Sequence, residues 1–406
     1  MKLIFDVSDK PKAGQLVVFA LQQMLAILAA TIAVPLIIGN GLTPAAAMFG
    51  AGVGTIVYIL FTKRKSPVFL GSSFAFLGSM AAAFAGGVSM QLGMLGLIVG
   101  AFLAGLVYVV IAIVVKFVGV GWLNKLMPAV VIGPTVAIIG LSLAGNAIGD
   151  LVKGDVTKQV TEYAVSTDSG TPEIIETVSN VPVGSSYVAL ICGLITLAVV
   201  MLCSTYGKKT LRLIPFIIGI LAGYAAAAIF TVIGNICDID ALKIVDFSVF
   251  SSYMLTDGSV SLKTFVSLPD FAFVSGLKGL KEFDFTYFAT IFVAYVPVAL
   301  VVFAEHVADH KNLSSIIDHD LLEEPGLTRT LLGDGVGSIA GALFGGCPNT
   351  TYGESVACVA ITGNASVVTI FAAAIGCMLF SFITPLVAFV DSIPVSYTHL
   401  TLPTKR

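Results

Sequence analysis

Apolar stretches long enough to cross a bilayer follow one another along almost the whole chain. A helix needs about 20 apolar residues to span the hydrocarbon core. Eleven candidates are present, at roughly 14–38, 43–62, 67–85, 90–117, 127–148, 185–204, 212–236, 286–310, 328–346, 349–362 and 365–390. Only 11% of the 406 residues are charged, against about 25% in soluble domains, so no water-facing surface is available to enclose these runs. The expectation is an all-α polytopic membrane protein. Two candidates are irregular: the third contains Gly71-Ser-Ser-Phe74, and the tenth is too short to cross as a regular helix.

Positive charge sets the expected orientation. Lys2, Lys10 and Lys12 precede the first span, Lys63, Arg64 and Lys65 follow the second, Lys116 and Lys125 bracket the loop after the fourth, and Lys208, Lys209 and Arg212 follow the sixth. The intervening loops are neutral or acidic; 149–184 holds Asp150, Asp155, Glu162, Asp168, Glu173 and Glu176 against Lys153 and Lys158. Alternation of this kind places the N-terminus in the cytoplasm and requires both irregular candidates to count as spans. The polar start, MKLIFDVSDKPKAG, has no small-residue cleavage pattern, so the first span is expected to stay as an anchor.

An internal repeat is visible. Gly50-Ala-Gly-Val-Gly-Thr-Ile56 in the second span matches Gly333-Asp-Gly-Val-Gly-Ser-Ile339 in the ninth. Each is followed by a small, hydroxyl-rich stretch: Gly71-Ser72-Ser73-Phe74 after the first, and Thr350-Thr351-Tyr352-Gly353 after the second. The copies lie seven spans apart, and an odd number makes them run in opposite directions. Inverted repeats with broken segments at matching positions point to the binding site of a secondary transporter. The second unit, starting near Thr286, is shorter than the first, so the chain is expected to be truncated after about eleven spans. Residues 396–406, YTHLTLPTKR and the residue before it, are neither apolar nor amphipathic and are expected to be a non-native tail.

Ionisable groups within apolar sequence mark function. Glu305 follows a long apolar run, with Asp309 one helical turn on and His306 and His310 beside them. Glu305 and Asp309 share a helix face, and desolvation with like charge disfavours ionising both, so the pair can hold or release a proton. His306 and His310 read more simply as a helix end in solvated polar residues, and Asp309 fits either reading. Glu354 sits between Tyr352-Gly353 and an apolar run, in broken backbone with no place for solvent. Gly353 admits close backbone approach, and the extended stretch before it would present free N–H and C=O groups. Two acids, free amides and an aromatic (Phe74 or Tyr352) could hold a flat polar ring. Asp334 is either a contact to span eight or a group near the surface, and Gln22 and Gln23 could line the same cavity.

Other classes are excluded or read blandly. No basic cluster is interleaved with aromatics, which argues against nucleic acid as a partner. The six cysteines form no CxxC pair and read as small buried hydrophobes. His306 and His310 lack the further ligands a metal site needs, and no nucleophile–base set points to an enzyme. The glycine pairs read as helix-packing positions.

Three strings, Ala304-Glu-His-Val307, Pro348-Asn-Thr-Thr-Tyr-Gly-Glu354 and Gly71-Ser-Ser-Phe-Ala-Phe76, together resemble the uracil permeases of the nucleobase–ascorbate transporter family, over essentially residues 10–395. The resemblance implies a seven-plus-seven inverted-repeat transporter fold with short extended segments in spans 3 and 10. It assigns 1–126 to core spans 1–4, 127–285 to gate spans 5–7 with their extracellular loops, and 286–395 to core spans 8–11. It implies proton-coupled uracil import across the bacterial cytoplasmic membrane, with no cofactor beyond the proton. Glu305 and Glu354 would hold the base, Phe74 and Gly353 would complete the site through their backbone, and Tyr352 would lie close by; Glu305, Asp309 and His306 would carry the coupling proton. A homodimer stays open. Asp309 stands where such permeases often have histidine, and Ser355-Val-Ala357 and Thr362-Gly363 depart from the signature after the span-ten acid. The alternatives are a xanthine, purine or urate permease of the same family, or an anion transporter sharing the fold, which would more naturally place basic groups at the midplane.

Overall fold

A computed structural model describes residues 3–119, 121, 134, 141, 148, 152, 154, 156–166, 173–207, 215–254 and 259–394. In chain order its helices are α1 (Ala13–Ile38), α2 (Pro44–Phe61), α3 (Leu77–Ala83), α4 (Met90–Val118), α5 (Ser186–Tyr206), α6 (Pro215–Cys237), α7 (Ser248–Met254), α8 (Ala272–Gly276), α9 (Phe285–Ile317), α10 (Leu327–Gly345), α11 (Gly353–Thr362), α12 (Val367–Phe380) and α13 (Thr384–Asp391). Among the described residues six helices, α1, α2, α4, α5, α6 and α9, are long and apolar enough to cross a membrane. Apart from residues 134, 141 and 148, the expected span at 127–148 lies outside the described residues, as do Lys125, Lys208, Lys209, Arg212 and the tail.

The two irregular candidates are half strand and half helix. Strand β1 (Leu70–Ser72) runs into a single 3-10 turn at Phe74–Phe76 and then α3, and β4 (Asn349–Thr351) runs into α11. β1 and β4 pair antiparallel, with Gly71 opposite Thr350 at the centre. Gly71 and Thr350 hold the same place in the two repeat units, so a two-fold relation passes through their pair.

The glycine repeats lie on the same line. Gly54 and Gly337, the third glycines of their motifs, meet where α2 crosses α10; a methyl added to either would stand 2.8 Å from the other's carbonyl oxygen. The opposite face of α10 is pressed equally closely on α4, where a methyl on Gly335 would lie 2.8 Å from the carbonyl of Gly105. Glycine on both faces lets α10 run between two helices at backbone contact. The packing reading of these glycines holds.

Contacts between loops sort the helix ends. The Phe5–Asn364 bridge and the Lys65–Glu324 ion pair tie the N-terminal segment to the α11–α12 connection and the loop after α2 to the loop before α10. At α12 the expected single span 365–390 is broken. Residues 381–383 leave the helix, with Ser267 N–H donating to the Phe382 carbonyl and Thr384 N–H to that of Phe265, each at 3.0 Å. Pro385, with no N–H of its own, then starts α13.

Three further features differ from expectation. Loop 149–184 contains a hairpin, β2 (Thr157–Ser166) with β3 (Glu173–Pro182), in register Thr157–Pro182 to Ser166–Glu173. Its richness in β-branched residues is a strand signal that the acid count obscured. Helix α9 runs on past residue 310 to Ile317, because the turn after His310 returns to apolar Leu313 and Ile317, both buried. Of the cysteines, Cys192, Cys347, Cys358 and Cys377 are buried, but Cys237 is exposed at the end of α6.

Gly54→Val and Gly337→Val should each destabilise the folded protein, by about 1–3 kcal/mol for overpacking a close contact. Thermal unfolding in detergent should show a lowered Tm for each. Because the two sites meet, the double variant should lose less than the sum; full additivity would show that they do not share one contact.

Candidate functional site

Extended backbone within hydrocarbon leaves polar groups that must find partners inside the protein. The β1–β4 pair answers this in three ways. The strands bond to each other and are extended at both ends, where Ser73 N–H donates to the Pro348 carbonyl at 2.9 Å and Tyr352 N–H to that of Phe69 at 3.2 Å. Hydroxyls cap the outward edges: Leu70 N–H donates to Thr55 Oγ1 at 2.9 Å, Phe69 N–H to Ser355 Oγ at 3.1 Å and Asn349 N–H to Ser338 Oγ at 3.0 Å. Side chains then lock the pair in place. Tyr352 donates its hydroxyl to the Ser72 carbonyl at 2.8 Å, and its ring fills the space that a side chain on Gly71 would need.

The sequence suggested free amides in the extended stretch before Glu354; those of Asn349 and Tyr352 are taken, by Ser338 Oγ and by the Phe69 carbonyl of the other repeat. Helix starts can supply donors instead. A first helical turn points N–H groups out of its end, with a partial positive charge. Two such starts, at Phe74 and at Gly353, flank the strand pair.

Around them the expected substrate residues share one property. Phe74, Glu305, Gly353 and Glu354 are each half-buried within stretches that are otherwise largely buried. Glu354 lies in the first turn of α11 and is not a surface loop acid. Asp309, Glu354 and Asp334 all lie within Coulombic reach of Glu305. Tyr352 is buried and its hydroxyl is committed to Ser72, whereas Phe74 is half-buried.

The polar groups of α9 are not a solvated helix end. His306 and His310 are fully buried and Asp309 nearly so, since α9 continues beyond them and three neighbouring elements supply partners. Thr351 of β4 donates to Asp309 Oδ2 at 2.9 Å. Asp334 of α10 lies 2.6 Å from His306 Nδ1, so it is a contact to span eight and not a surface group. Tyr58 of α2 lies 2.6 Å from His310 Nε2. The two imidazoles stack with centroids 4.1 Å apart.

Gln23 does not line the space; its Nε2 donates to Ser355 Oγ at 2.5 Å, joining α1 to α11. Gln22 Oε1 is buried with no partner among the described residues. The roles of Thr351, Thr55, Ser338 and Ser355 escaped sequence reasoning, because each acts on a residue far along the chain. The one available signal was hydroxyls concentrated beside glycine at span depth.

The profile of the Permease family (Xan_ur_permease) matches residues 14–183 and 163–396. The uracil permease of Bacillus caldolyticus is 34% identical over 97% of this chain and 77% of its own length. That of Bacillus subtilis (strain 168) is 33% identical over 97% and 78%, and that of Escherichia coli (strain K12) 31% identical over 96% and 76%. Among solved structures, the transmembrane domain of the cyanobacterial bicarbonate transporter BicA superposes with a TM-score of 0.63 at 13% identity, covering 98% of this chain and 89% of that one. SLC26A9 gives 0.60 at 13% identity, over 97% and 58%; at such identity the likeness is one of fold. The sequence matches carry the assignment further: the chain is a membrane permease, and it belongs to the nucleobase–ascorbate transporter family that contains these uracil permeases.

Proposed function

We propose that the chain is a proton-coupled symporter that imports uracil across the bacterial cytoplasmic membrane, with its N-terminus inside. The observation that carries this reading is the pair of half-buried carboxylates, Glu305 on α9 and Glu354 at the start of α11, set against two helix starts on a buried strand pair. Uracil is a flat neutral ring with N–H donors and C=O acceptors. Carboxylates accept from the former and first-turn amides donate to the latter, while Phe74 can cover a face. The names of the relatives, uracil permeases in each case, favour uracil over a purine.

Proton coupling follows from the same acids. Glu305 shares its surroundings with Asp309, Asp334 and Glu354, and clustered carboxylates in a poorly solvated place do not all ionise together. Substrate and proton then bind interdependently: a ring N–H and an added proton both relieve the cluster. Asp309, held by Thr351, stands one turn below Glu305 to receive a proton from it. His306 touches the cluster through Asp334.

Glu305→Ala and Glu354→Gln should each weaken uracil binding by about 10- to 100-fold, the loss of a charge-assisted hydrogen bond of about 1.5–3 kcal/mol; wild-type affinity in either variant, measured by calorimetry, would sink the site assignment. Tyr352→Phe should lower Tm, through loss of the bond to Ser72, more than it changes affinity. Labelled uracil uptake should rise as external pH falls, collapse with a protonophore, and resist competition by xanthine. Strong xanthine competition would move the assignment to a purine permease.

A further inference from the structure

Behind the substrate-facing acids lies a second polar centre whose proton content can be counted. His306 Nδ1 is 2.6 Å from Asp334 Oδ2, and His306 Nε2 is 3.1 Å from Thr330 Oγ1; all three residues are fully buried. Thr330 has one hydroxyl hydrogen, which can go to the Leu327 carbonyl at 3.1 Å or to Nε2. With it on Leu327, the imidazole donates at Nε2 and offers only a lone pair at Nδ1, so the 2.6 Å approach there requires one more proton between the pair, as O–H···N or as N–H⁺···O⁻. With it on Nε2, a neutral His306 donates from Nδ1 to an anionic Asp334 and the pair holds no added proton.

The other oxygen of Asp334 decides between these forms. Oδ1 is buried with no partner among the described residues. An anion would leave part of its charge facing no donor, which is costly at membrane depth, whereas a carboxylic acid leaves only a carbonyl-type oxygen there. The resting form is O–H···N. The Tyr108 hydroxyl interacts with Thr350 and lies within Coulombic range of Asp334.

His310 behaves differently. Its Nδ1 faces the His306 carbonyl at 2.8 Å and must donate to it. Its Nε2 then accepts from Tyr58, whose hydroxyl accepts in turn from Ser66 at 2.7 Å. Every hydrogen on that branch is committed, so a mobile proton has its outlet toward the substrate acids. The titratable groups that surround the centre are Glu305, Asp309 and His310 on α9, Tyr58 on α2, Tyr108 on α4 and Glu354 on α11.

We propose that the Asp334–His306 pair is a second proton-binding site of the transporter, holding one proton behind Glu305 and exchanging it with the substrate-facing acids during transport. This rests on the proton-symport reading given above.

Asp334→Asn in the intact protein tests it. The asparagine N–H can donate to His306 Nδ1 as the acid does, but it cannot be given up. Uracil affinity at acidic pH should stay within a few-fold of wild type. Accumulation in proteoliposomes under an inward proton gradient should fall to simple equilibration, while uracil counterflow persists. A variant that accumulates uracil with the wild-type pH profile would overturn the proposal. Nitrogen-15 spectra of histidine-labelled, unmutated protein give a test free of folding artefacts. They should show neutral His306 with its hydrogen on Nε2, and an imidazolium at neutral pH would overturn the proposal equally. Wild-type uptake indifferent to a proton gradient would instead overturn the symport reading and the transport role of this proton, and the spectra would still report whether the pair holds it.

Discussion

The rest of the site depends on one requirement: extended backbone at membrane depth must find hydrogen-bond partners within the protein, at a cost of several kcal/mol for each group that does not. Here two chain segments almost 280 residues apart satisfy it together. Gly71 lies opposite Thr350, and the outward edges are closed by Thr55, Ser338 and Ser355. Only with that pair formed can two short helices begin side by side at span depth. Glu354 stands in the first turn of one, and Phe74 opens the other.

Close helix packing brings the remaining groups to the same place. Glycines on two faces of α10 hold it at backbone contact with α2 and α4, which sets Asp334 against His306 and brings Tyr108 near both. Helix α9 carries Glu305, His306, Asp309 and His310 in two turns. Glu305 is half-buried, while the others meet α10, β4 and α2 in that order. Angular position alone sends the polar groups of one helix to different partners.

What could be read from the chain was whatever breaks the apolar pattern. Glu305 and Glu354 are acids where water is scarce, and the twin glycine motifs are a local match, so membrane class, the irregular spans and the two acids were legible. What could not be read depended on partners distant in sequence. His306 and His310 look like a helix end until Tyr58, Thr330 and Asp334 are brought to them. The Tyr352 amide looks free until Phe69 of the other repeat accepts from it. The break at 381–383 arises from pairing with 265–267, which no local propensity encodes. The hairpin at 157–182 was legible in principle, through its β-branched content, and was masked by its charge.

The antiparallel register of β1 and β4 carries a consequence for inheritance. Each strand feeds one of the two helix starts, and each is positioned by the other, so neither half-site has a geometry of its own. A change at Gly71 is transmitted through the Tyr352 ring to the turn that holds Glu354. Under the proposed site, ligand preference could not drift through one repeat at a time. With two duplicated halves sharing a single sheet, the substrate would be a joint property, and a change of substrate would need a matched alteration on both sides of the two-fold.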